Sequence, residues 1–239
     1  MTSLLDATET YNIRDASVAV RKLTTKNLSL LKILEKIRTG SGHANIIKFF
    51  NILIESTDTD NIQEAWAELK RLTFINDIFD FFDKVKEYTQ SDTAMFITTI
   101  LRTTTSPNID VAATLLNKVS NRNSVAQVIA EISEITKMDI VKFFELIMTI
   151  GNKYYFEEVV ALLEYYTETT NLIDALKELR RATGQSDMIK AIEHVKENKP
   201  RIKKTTATET NDTTQEDVAR STTTDSYKST STKSSTHAS

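Results

Sequence analysis

The stretch Asn45–Thr57, NIIKFFNILIEST, places Ile46, Phe49, Phe50 and Leu53 at the i, i+3, i+4, i+7 spacing of one helix face. The pattern returns at Asp77 (Ile78, Phe81, Phe82, Val85), Asn108 (Ile109, Ala112, Ala113, Leu116), Asp139 (Ile140, Phe143, Phe144, Ile147) and Asn171 (Leu172, Ala175, Leu176, Leu179). An earlier copy starts at Asn12, with Ile13, Ala16, Ser17 and Val20. These starts lie 33, 32, 31, 31 and 32 residues apart, and a fixed period of that length marks stacked helical hairpins.

A second series runs between the first, opening near Asn27, Asp60, Asp92, Asn123, Tyr155 and Asp187. Within it Ile62, Ala65, Trp66 and Leu69 match Val125, Val128, Ile129 and Ile132. Two interleaved series with one spacing predict about six hairpins over residues 12–200, an all-α solenoid. Nearly every predicted helix opens on Asn or Asp, whose short side-chain oxygen accepts from the free N–H groups of a first turn. About twelve residues later Thr24, Thr39, Thr57, Thr89, Ser120, Thr167 or Thr183 closes the unit. Threonine is a poor helix former that bonds to nearby backbone. Glycine, the usual residue at a helix C-terminus, is missing from most of these ends. Helices of this length are marginal alone in water, so neighbours must hold them.

Residues 1–11 carry Leu4 and Leu5, which either pack on the first hairpin or fray. After Pro200 the composition changes: of the 37 residues from Lys203 to Ser239, 19 are Ser or Thr, and the large apolar side chains are Val218 and Tyr227 alone. Such a segment buries too little surface to offset its ordering entropy, so a disordered tail is expected over 201–239.

Composition bounds the function. A net charge of −3 lacks the broad basic footprint of a nucleic-acid binder. The absence of cysteine removes disulfides, thiolate nucleophiles and Cys-based zinc sites. No charged leader with an apolar core opens the sequence, and no apolar run is long enough to span a bilayer. The expectation is a cytoplasmic chain without membrane insertion, a monomer or small oligomer.

No reactive constellation stands out, so no catalytic residue, cofactor or metal is expected. Asp77, Asp80 and Asp83 stand three apart on one helix, a spacing that holds a divalent cation only if Asp77 is free of capping duty. His43, His194 and His237 share no ligand spacing. Lys196, Lys199, Arg201, Lys203 and Lys204 form the most basic point, which suits a helix C-terminus. Tyrosines offer another lead: Tyr154, Tyr155, Tyr165 and Tyr166 gather in the fifth hairpin, and Tyr155, Leu162 and Tyr166, at i, i+7 and i+11, form a stripe for a protein interface. The alternative is that they pack on the next hairpin.

Across residues 12–199 the chain resembles an α-solenoid of the HEAT-like or tetratricopeptide-like kind. The likeness rests on the period and the two-helix unit. The tetratricopeptide pattern of Trp, Leu-Gly, Tyr and Pro is absent. The repeat array, together with the lack of any reactive constellation, points to a non-catalytic scaffold that presents a helical surface to a peptide or protein partner. The alternatives are a structural component of a larger particle or coat and, behind it, a metal-dependent enzyme resting on the aspartate trio.

Overall fold

The computed structural model describes residues 3–150, 155–184 and 187–198, all within the unit Met1–Pro200. The expected disorder of the tail lies outside the described residues, as does Tyr154. The described chain is all-helical, with thirteen helices in succession: α1 (Leu4–Thr8), α2 (Ile13–Arg21), α3 (Leu30–Ser41), α4 (Ile46–Thr57), α5 (Ile62–Thr73), α6 (Ile78–Tyr88), α7 (Thr93–Thr104), α8 (Ile109–Ser120), α9 (Val125–Thr136), α10 (Ile140–Met148), α11 (Phe156–Thr167), α12 (Leu172–Thr183) and α13 (Met188–Glu197). Twelve answer to the two sequence series. The thirteenth is α1, where Ser3 and Asp6 form a reciprocal cap and Ala7 and Thr8 are buried.

All six first-series starts are helix caps. Asn12, Asn45, Asp77, Asn108, Asp139 and Asn171 each accept a first-turn N–H on a side-chain oxygen. Three second-series starts shift by one or two residues, to Ser29, Asn61 and Ser124. At Asn61 the reason is direct: its Oδ1 takes the amides of Gln63 and Glu64, both at 3.1 Å, while Asp60 stays in the exposed connector.

Eight helix ends use a hydroxyl, seven of them followed by a residue other than glycine. Thr8, Thr57, Thr73, Thr104, Ser120, Thr136, Thr167 and Thr183 are each the last residue of a helix, and each donates its hydroxyl to the carbonyl four residues back. The next residue then turns left-handed, with positive φ at Glu9, Asp58, Phe74, Thr105, Asn121, Lys137, Glu168 and Gly184. The hydroxyl is satisfied by a carbonyl that already accepts from the same residue's backbone N–H, while amides just beyond the helix bond to carbonyls of its last turn. Three of the expected closers differ: Thr24 lies beyond α2, Thr39 lies inside α3, and Thr89 caps α6 with extended backbone.

Apolar periodicity places the core. Phe49, Phe50, Leu53, Ile62, Phe143, Ile147, Leu172 and Leu179 are fully buried. The first copy departs from the pattern, since Ile13 is 66% exposed and Ala19 turns inward with Ala16 and Val20. α2 itself buries only Ala16, Ala19 and Val20.

Each helix packs on the next, as the hairpin pattern requires, except α5 on α6, and further contacts join helices three apart (α1 with α4, α4 with α7, α7 with α10, α10 with α13) and four apart (α1 with α5, α4 with α8, α8 with α12). The array therefore winds, completing a turn in between three and four helices. Connectors fasten it. The Asp77 carboxylate at the start of α6 accepts from Thr24 Oγ1 (2.6 Å) and Thr25 N (2.8 Å) in the connector after α2, and Ile78 N donates to Leu23 O (3.1 Å). One turn later the Asp139 carboxylate at the start of α10 accepts from Thr89 Oγ1 (3.0 Å) and Gln90 N (2.6 Å), just after α6. Asn61, at the start of α5, donates to Glu9 Oε2 after α1.

Candidate interaction surfaces

The adjacent pair α5 and α6 makes the least contact, and the space between them is a pocket of about 190 Å³. Its walls are Leu69 and Leu72 of α5, Phe81 and Val85 of α6, Phe96, Ile97 and Ile100 of α7, and Val125, Ala126 and Ile129 of α9. Thr73, Lys84 and Tyr88 supply the polar atoms at its edge. Apolar cavities of about 150 Å³ stay dry and take up a benzene-sized molecule, so this one has room for a single bulky apolar side chain.

Tyr88 also borders a broader trough of about 600 Å³ between the last turns of α6 and α9. Lys86, Glu87 and Gln90 line one side, and Ser133, Glu134 and Lys137 the other. Its lining carries Lys86 and Lys137 against Glu87, Glu134 and Asp139. Asp139 closes one end, and its carboxylate is anchored by Thr89, Gln90 and the α10 amides of Val141 and Lys142. Burial alone would raise its pKa, but these hydrogen bonds hold it below the usual carboxylate value.

The tyrosine stripe is not one surface. Leu162 belongs to the core at 6% exposure, because α11 is covered by α7, α10 and α12 and needs apolar side chains on more than one face. Tyr166 is half-buried, edge-on to the His194 ring at 6.3 Å. Tyr155 and Tyr165 remain exposed, at 65% and 69%, on opposite ends of α11. Glu164, between them, is pushed up by burial.

The aspartate trio separates as well. Asp77 is 3% exposed, its oxygens taken by Thr24, Thr25 and the Phe79 amide, while Asp80 pairs with Lys26 at 2.8 Å. Among the described residues no three acidic or histidine side chains are grouped to hold a metal ion, and no helix is long and apolar enough to cross a membrane. His43 bonds to its own connector, through Asn45.

Comparison with protein families, curated proteins and solved structures finds no match to this chain.

The pocket left one trace in the sequence: the connector after α5 holds Phe74 and Ile75, where other connectors read Asp-Thr-Asp (58–60) or Thr-Gln-Ser (89–91). Ile75 packs against the core and Phe74 projects at 75% exposure.

Proposed function

We propose that the chain is a cytoplasmic, non-catalytic scaffold, HEAT-like or tetratricopeptide-like in architecture, that binds a peptide or protein partner in the channel between α6 and α9. The observation that supports this reading is the apolar pocket opening beside a trough lined by both signs of charge, with Tyr88 shared by both. A bulky apolar side chain fits the pocket, and the trough offers Lys86, Gln90, Ser133 and Glu134 to the polar groups of a main chain beside it. Interfaces draw most of their energy from such a buried anchor ringed by polar contacts.

Random peptides displayed against the immobilised protein test this, with Ala126→Phe as counter-target because Ala126 lines the pocket and a phenyl ring there fills it. The expected result is enrichment of one bulky apolar position on the native protein and its loss on the folded variant. No enrichment, or equal enrichment on both, overturns the reading.

A further inference from the structure

Charge is unevenly shared along the chain. Residues 11–48 hold eight Lys and Arg against two Asp and Glu, a net of +6, whereas residues 49–198 hold 15 against 24, a net of −9. All eight cations are exposed. Arg14, Lys22, Lys32, Lys36, Arg38 and Lys48 make no ion pair among the described residues. Tyr11, Ile13, Val18 and Leu31, four of the ten large apolar side chains exposed in the described chain, belong to this segment, Leu31 at 80%. The exposed face of α3 thus carries Leu31, Lys32, Lys36 and Arg38 around Glu35, a surface of net positive charge with an apolar side chain in it.

The opposite surface is on the same molecule. Residues 155–176 contain five acidic side chains and no Lys or Arg. On α11 Glu158, Ala161 and Tyr165 fall at i, i+3 and i+7 and are all exposed, on the side away from α7, α10 and α12, and the exposed Glu168 follows directly after the helix. Neither α2 nor α3 packs substantially on α11 within one chain. We infer that the basic α2–α3 face of one copy docks on the acidic, tyrosine-bearing face of α11 in a second copy. The two patches differ, so the contact is head-to-tail and each copy keeps one face open for the next. The chain is then a building block of a linear or ring-shaped assembly, a property independent of the pocket.

Sedimentation velocity across a concentration series tests this in the full chain. At low salt the weight-average mass should rise to at least twice the 27.0 kDa of one chain. It should return to that of one chain at about 1 M NaCl, where the Debye length is roughly 3 Å. Lys32→Glu with Arg38→Glu, and separately Glu158→Lys with Glu168→Lys, should each sediment as single chains. Their equimolar mixture should associate again, since each variant now meets its opposite on the other. Lys190→Glu with Lys196→Glu, the same charge change placed on α13, should associate like the native chain. A native chain that stays single at low salt, variants that associate unchanged, or a mixture that fails to recover association each overturns the inference. So does a chain that stays single yet pellets with anionic vesicles, which gives the basic face to a lipid surface.

Discussion

At Asp77 and Asp139 one carboxylate caps its own helix and fastens a connector from four helices earlier. Burial pushes each pKa up, yet the hydrogen bonds outweigh it and hold both below the ordinary carboxylate value. A carboxyl whose native pKa is depressed contributes stability that is full above its unfolded pKa, near 3.9, and is lost as pH falls through the native value. Asp77→Asn with Asp139→Asn should therefore lower stability by about 2–4 kcal/mol at pH 7. The gap to the native protein should close as pH falls below about 4. Urea titrations across that range check both statements, and a gap that widens on acidification would refute them. Gly40 makes the opposite kind of point. It lies inside α3, where alanine is about 1 kcal/mol the better helix former, but an added Cβ would overlap Cδ2 of the fully buried Phe82 in α6. Gly40→Ala should lower stability by about 1–3 kcal/mol through overpacking, read from the denaturation midpoint.

Among elements, the recurring helix end trades glycine for a hydroxyl and accepts a left-handed residue with a side chain, which costs roughly 1–2 kcal/mol. Phe74 bears that cost with a bulky ring at φ 59° that is mostly in solvent. Phe74→Gly should raise stability by about 0.5–1 kcal/mol, whereas Thr57→Val, which keeps the shape but removes the hydroxyl bonded to Leu53 O, should lower it by about 1 kcal/mol. Chemical denaturation decides both. This scale was the most legible in the sequence. Asn45, Asp77 and Asn171 could be placed as caps from sequence because capping is settled within four residues, and the Phe49–Phe50 and Phe143–Phe144 pairs could be placed in the core because periodicity reports one buried face. Leu162 was misplaced for the complementary reason: α11 is covered from several sides, and a single-face pattern cannot count them. Beyond the apolar connector at Phe74 and Ile75 the pocket was not legible, because it arises where α5 and α6 fail to pack, and that depends on side-chain volumes contributed by α7 and α9.

For the molecule as a whole, contacts three and four helices along change how it should unfold. An array held only by nearest neighbours can unravel from an end, but here α4 is tied to α1, α7 and α8 as well as to α3 and α5. Trp66, the single tryptophan, is buried in the middle of the array against Phe81. Its fluorescence and the far-ultraviolet helix signal should change together across a urea titration, as one cooperative transition. A helix signal that falls well before Trp66 fluorescence would show end-fraying instead.

The space between α5 and α6 also bears on volume. Unfolding removes the loosely packed apolar space there, so the unfolded chain with its hydration shell takes up less room, and compression favours it. Hydrostatic force should thus begin to open the array where Leu72, Val85 and Ile129 face one another across that gap. A squeezed sample should yield first at the place where a guest would be received.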